Sequence, residues 1–180
     1  MRNPVSDEQN LLQRASQLET QALAEIYDAY SPGIYRYSMR LLGDITLAED
    51  CVSETFARFL KSLQERHGPR DNLQAYLYRI AHNWIVDMYR SRTETVELND
   101  AFRNEADMPE EDAAKHIRQK QVLRAVHSLT PEQQMVIALK YLEDWSNEEV
   151  ARVMKKPVSA VKSLQHRALR SLCRLLTEKS

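Results

Sequence analysis

The chain is predicted to be all-α. Its 180 residues include only three glycines and six prolines, too few for the many turns of a β protein. Apolar residues recur at three- and four-residue steps in segment after segment, and sustained strand-type alternation is absent. At 43% hydrophobic residues there is enough apolar side chain for one domain or two small ones.

Five helical patterns fill the N-terminal half. The first spans about Asp7 to Leu18, and the second about Thr20 to Tyr30, stopped by Ser31-Pro32-Gly33. The third runs from Ile34 to Leu42 and stops at Gly43-Asp44. Leu47, Cys51, Phe56, Phe59, Leu60 and Leu63 form the stripe of a helix from about Thr46 to Gln64. After the loop Arg66-His67-Gly68-Pro69, a long helix follows from about Asn72 to Arg92, with Leu73, Leu77, Ile80, Trp84, Ile85 and Met88 on its apolar side.

Thr93 to Met108 loses periodicity and gains acids, which is the composition of a linker. Asp107 with Pro109 restarts a helix to about Ser128. Thr130-Pro131-Glu132-Gln133 is a capping box with Pro in the first helical turn, opening a helix to about Glu143. The expected organisation is two helical domains, 1–92 and 109–180, joined by an acidic linker over 93–108.

Ser146 to Leu172 carries the sharpest functional signal. Ser146 and Glu149 form a second capping box, and Lys155-Lys156-Pro157 ends the short helix that it opens. A longer helix starts at about Val158, with Val161, Leu164, Ala168, Leu172 and Leu175 on its buried face. Ser159, Lys162, Ser163, His166, Arg167 and Arg170 occupy the other face. Every charged residue from Lys155 to Arg174 is basic, whereas an ordinary solvated face mixes signs. Two helices, a tight turn and a one-signed face with base-edge donors describe a helix-turn-helix that binds DNA.

The formal net charge of -1 conceals this asymmetry. Residues 1–92 hold 11 Lys and Arg against 12 Asp and Glu, residues 93–115 hold 2 against 8, and residues 116–180 hold 12 against 6. A basic tail tied to an acidic middle suits a nucleic-acid-facing module.

Other chemistry is poorly represented. Cys51 and Cys173 are single thiols in helical patterns and read as core packing, with no metal site. His67, His82, His116, His127 and His166 are scattered. No phosphate-cradling glycine loop or nucleophile elbow occurs, so catalysis and cofactors are not expected. The N-terminus lacks the apolar region of a signal peptide and no run is long enough to span a bilayer, which points to the cytoplasm.

With both halves in view, the chain resembles bacterial sigma factors of the extracytoplasmic-function class. Ile26 to Asp44 is similar to that family's opening helices, Ala48 to Arg58 to its polymerase-binding helix, and Ala75 to Asp87 to its promoter-melting helix. Leu129 to Ala151 and Lys156 to Leu169 are similar to its upstream-element domain. The resemblance implies core RNA polymerase and promoter DNA as partners, with an anti-sigma factor as a usual third. It places polymerase contacts on Glu49, Asp50, Ser53, Glu54 and Arg58, although acids in a first turn are also expected from the helix dipole alone. It places minus-ten contacts on an outward strip of Arg79, His82, Asn83 and Arg90, with His67 and Tyr76 as further candidates for holding unstacked bases. Minus-thirty-five contacts fall on Ser159, Lys162, Ser163, His166, Arg167 and Arg170. It also implies that the linker threads the RNA exit path, its charge mimicking nucleic acid.

The chain departs from the family pattern in places. Ser53 stands where a Gln is usual, Lys155 replaces the turn glycine, Ser159-Ala160 replaces Gly-Thr, and Leu164 replaces an Arg. Lys155 would carry strain if the turn needs a left-handed residue. A rival reading keeps residues 109–180 as a DNA-binding regulator and makes residues 1–92 a sensor or dimerisation domain. The acidic face at Glu49 to Glu54 and the Arg79/Asn83 strip speak against it, because a sensor needs neither.

Overall fold

Three side chains set the start of helices, two of them in boxes that the sequence suggests. Asp44 accepts from Leu47 N at 3.0 Å, and Thr130 and Ser146 each close a reciprocal capping box, with Gln133 and Glu149 respectively. In the computed structural model, which describes residues 4–95 and 110–177, these caps sit in an all-helical chain. The helices are α1 (Pro4–Ser16), α2 (Thr20–Leu42), α3 (Ile45–Gln64), α4 (Leu73–Thr95), α5 (Glu110–His127), α6 (Pro131–Ile137), α7 (Asn147–Met154) and α8 (Val158–Thr177). No strand occurs among the described residues. Most of the acidic linker, including Asp107, lies outside them; its first three residues, Thr93 to Thr95, extend α4.

The expected break at Ser31-Pro32-Gly33 does not occur, and α2 runs through it as one helix. An interior proline removes a hydrogen bond and costs about 3 kcal/mol. Here Pro32 is exposed, so the lost bond lies on the solvent side, while Ile26, Ile34, Tyr37 and Leu41 make one buried stripe across the junction. Burying both halves of that stripe outweighs the proline. Gly33 is set by packing, since a Cβ there would meet Tyr78 Oη at 2.8 Å. The true stop is Gly43, left-handed at φ 65°, whose N–H bonds to Met39 O.

In the N-terminal half α2, α3 and α4 pack around Ile26, Ile34, Tyr37, Phe59, Leu73, Leu77 and Ile85. In the C-terminal half α6, α7 and α8 enclose Val136, Leu139, Val150, Val153 and Val161. The α6 segment reaches Leu142 as expected, but its last part, Ala138–Leu142, widens to a π-helical turn. Immediately after that turn, Glu143 accepts from Arg40 Nη1 at 2.9 Å and Tyr78 Oη at 3.4 Å. The two halves are therefore in contact, with α4 between them.

That contact explains the other departures. Tyr78, His82 and Val86 are buried on α4, while Ile80, Trp84 and Met88 of the expected stripe are only half-buried. The stripe is the one expected of a domain standing alone, but α4 is also covered by α6 and α7. Cys51 is in the core, where burial raises its thiol pKa to about 11. Cys173, expected in the core, is exposed, because α8 is covered on one side only towards its end.

Candidate nucleic-acid and polymerase interfaces

The helix-turn-helix forms as its sequence requires. Ser146 Oγ accepts from Glu149 N at 3.2 Å and the Glu149 carboxylate accepts from Ser146 N at 2.7 Å. These bonds hold the Glu149 carboxyl below its usual pKa. At the other end Lys155 is left-handed, with φ 52° and ψ 44°. Lys156 N bonds Ala151 O at 3.1 Å and Lys155 N bonds Arg152 O at 3.3 Å, closing the α7 C-terminus. Only Gly takes this conformation without a steric penalty, so Lys155 stores the strain expected of it. Lys156 turns back to Glu132 at 2.9 Å, pinning the turn to α6.

On α8 the buried face is Val161, Leu164 and Ala168, and Ser159, Lys162, Ser163, His166, Arg167 and Arg170 are all exposed on the other. Ser163 Oγ bonds Ser159 O at 3.0 Å, and Arg167 Nε bonds Ser163 O at 3.4 Å. Lys162 and Arg170 have no ion-pair partner among the described residues. An unneutralised basic stripe on a rigid helix can displace the counterions of a DNA backbone.

The α4 strip is only partly as expected. Asn83 and Arg90 are exposed and Arg79 is half-buried, its guanidinium 5.6 Å from the centre of the Tyr76 ring. His82 is corrected: it is 2% exposed, with Nδ1 at 2.7 Å from Tyr37 Oη and Nε2 at 2.9 Å from Pro131 O. It points inwards because α6 covers the side of α4 that would otherwise be open. Arg79, Tyr76, His67 and Arg70 line a cleft of about 600 Å³ together with Arg152 and Lys155 of the other half. Arg152 and Lys155 are residues that the sequence pattern did not single out as contacts. Only the packing of the halves brings these cations together.

On α3, Glu49, Asp50, Ser53 and Arg58 are exposed and Glu54 is half-buried. Arg58 Nε and Glu54 Oε1 pair at 2.7 Å across one helical turn, and Ser53 Oγ bonds Glu49 O at 3.0 Å. A groove of about 420 Å³ between α2 and α3 adds Tyr27, Tyr35 and Pro32 to this acidic face. Tyr27 is 47% exposed while its ring lies 4.7 Å from that of Phe56. Exposed aromatic surface is enriched in protein-binding patches, and the acids beside it suit the polar rim of one. The aromatic half was missed because it lies on α2; two tyrosines eight residues apart, Tyr27 and Tyr35, were the available signal.

Among the described residues there is no cluster of His, Cys, Asp or Glu able to hold a metal, and no helix long and apolar enough to cross a membrane.

The Sigma-70 region 2 family model matches residues 26–95, and the Sigma-70, region 4 model matches residues 119–172. The ECF RNA polymerase sigma factor BldN of Streptomyces coelicolor is 36% identical over 187 residues, covering 98% of this chain and 70% of its own. SigL of Mycobacterium tuberculosis, also an ECF sigma factor, is 29% identical over 167 residues, covering 91% and 94%. Among solved structures, CnrH in complex with the cytosolic domain of CnrY has a TM-score of 0.66 at 23% identity, covering 96% of this chain and 98% of that one. RpoE in complex with the anti-sigma factor NepR from Bartonella quintana has a TM-score of 0.53 at 20% identity, covering 91% and 98%. At these identities the two structures establish the fold. The family models, with the match to BldN over nearly the whole chain, establish that this chain belongs to the ECF RNA polymerase sigma factors.

Proposed function

We propose that this sigma factor binds core RNA polymerase through α3 and the groove beside it, and directs initiation by gripping a promoter at two elements. The observation that carries the reading is the ordered pair of matches, region 2 over 26–95 and region 4 over 119–172, each coinciding with a surface of matching chemistry. The acidic face Glu49, Asp50, Ser53 and Glu54, with Arg58, takes the polymerase. Arg79, Asn83 and Arg90, helped by Tyr76 and His67, hold the melted minus-ten strand. Ser159, Lys162, Ser163, His166, Arg167 and Arg170 read the minus-thirty-five element in duplex form.

The domain roles follow as 1–92 for polymerase and minus-ten binding, 93–108 as the acidic linker, and 109–180 for the upstream element. Melting is driven by binding energy for extruded bases, so the protein acts without catalysis of its own and in the cytoplasm. RpoE was solved with an anti-sigma factor, and the groove lined by Tyr27 and Tyr35 suits such a partner here. A plain regulator with an N-terminal sensor is not favoured, because the region 2 match covers α2 to α4. The test is co-purification with core RNA polymerase. A stoichiometric complex is expected, and failure to bind core at micromolar concentration would overturn the assignment.

A further inference from the structure

The two halves of the chain are joined by two reciprocal histidine bonds. His82 of α4 donates Nε2–H to Pro131 O, the first residue of α6, at 2.9 Å. His127, the last residue of α5, donates Nε2–H to Leu41 O in α2 at 3.0 Å. Each ring belongs to one half and takes a backbone carbonyl of the other. Because both carbonyls can only accept, Nε2 carries the proton in each ring, and His82 Nδ1 accepts from Tyr37 Oη. His127 Nδ1 is buried without a partner, and the ring lies 3.5 Å from the centre of the Tyr89 ring. Trp145 beside Tyr78, at 4.8 Å, and the Arg40–Glu143 pair complete the contact.

This closed arrangement cannot serve a two-element grip, an argument that rests on the sigma-factor reading. Elements at minus ten and minus thirty-five are about 25 base pairs apart, or about 85 Å at roughly 3.4 Å per pair. A compact chain of this length has a radius of gyration of about 16 Å and is roughly 40 Å across. The halves must separate before α4 and α8 reach both elements.

We propose that His82 and His127 form an acid-released latch, which holds the two halves together while both rings are neutral and opens them when either takes up a proton. The neutral His82 ring has both nitrogens satisfied. A second proton would turn Nδ1 into a donor facing the Tyr37 hydroxyl and place a charge in the core. On His127 it would make a buried N–H without an acceptor.

Among the described residues, the ionisable groups around the pair offer no free carboxylate. They are Tyr37 and Arg40 of α2, Cys51 of α3, Tyr78, Tyr89 and Arg90 of α4, and Glu143, which is held by Arg40 and Tyr78. Burial is the main cause that lowers both rings, His82 to about 4 and His127 below its ordinary value, and each ring's bond to a carbonyl opposes it. A depressed histidine pKa means that closure is fully supported above about pH 6.5 and weakens as pH falls towards 4. For His82 alone, the ratio of closed to open chain falls by up to about tenfold between pH 7.5 and 5.5.

Small-angle X-ray scattering of the full chain from pH 7.5 to 5.0, with helicity followed by circular dichroism, tests this directly. The radius of gyration should be near 16 Å at pH 7.5 and rise on acidification with helicity retained. The double variant His82→Gln, His127→Gln keeps both amide donors and cannot titrate, so it should stay closed throughout. A wild-type radius that is constant over this range, or a double variant that opens along the same curve, overturns the latch. Should the variant not fold, the ring resonances of the wild type decide. Rings that stay neutral until the radius changes support the latch, and a ring titrating near its ordinary pKa while the radius is unchanged refutes it. Because polymerase takes no part, this result is independent of whether the chain binds core enzyme.

Discussion

Charge reversal at Glu54 separates binding from folding. Glu54 pairs with Arg58 at 2.7 Å, and the two side chains are 42% and 44% exposed. An exposed pair one helical turn apart contributes about 0.3–0.5 kcal/mol, and the Lys–Arg repulsion that Glu54→Lys introduces costs a similar amount. The total stays below about 1 kcal/mol, or roughly 2–4 °C in melting temperature for a chain of this size. Against the basic polymerase surface that the proposed docking of an acidic face requires, the same change is far larger. Like charges facing each other across an interface cost several kcal/mol, so affinity for core should fall about a hundredfold or more. The assay is a core-polymerase binding titration, run beside a thermal melt followed by circular dichroism. Affinity within about threefold of wild type would refute the placement of the polymerase on α3. So would a loss of binding only at temperatures where the variant has melted.

Two further substitutions probe the DNA-binding half. Lys155→Gly should relieve about 1 kcal/mol of left-handed strain, partly offset by the greater freedom of glycine in the unfolded chain, and leave a net gain of about 0.5 kcal/mol. A melt showing a loss above about 1 kcal/mol would mean that the turn is held by more than its backbone. Arg170→Ala should weaken binding to the upstream element. If Arg170 meets a phosphate, the dependence of log K on log salt should become shallower by about 0.9; if it meets a base edge, discrimination at one position should relax. Unchanged affinity and specificity would remove Arg170 from the interface.

Most of the architecture was legible because local chemistry and tertiary packing agree. The Thr130 and Ser146 boxes, the α3 start at Asp44 and the left-handed Lys155 are settled within a few residues of chain. The failures come from contacts between distant segments. Pro32 signals a stop, but Ile26 and Ile34 are buried on the same face and carry the helix past it. His82 looks like part of an outward polar strip until α6 arrives 49 residues later and caps it with a carbonyl. The exposed α8 face needed only its own periodicity and sign, so it could be read in full. The cleft joining Arg70 and Arg79 to Arg152 and Lys155 could not, because no periodicity within one helix relates the two halves.

Promoter-dependent initiation by purified core polymerase, with and without this chain, tests the central claim most directly. With the chain present, the account predicts a transcript of defined start whose yield depends on both an upstream and a minus-ten element. Glu54→Lys should abolish it, and Arg170→Ala should reduce it. Specific DNA binding by the chain alone, with no core association and no transcript at any promoter, would contradict the account.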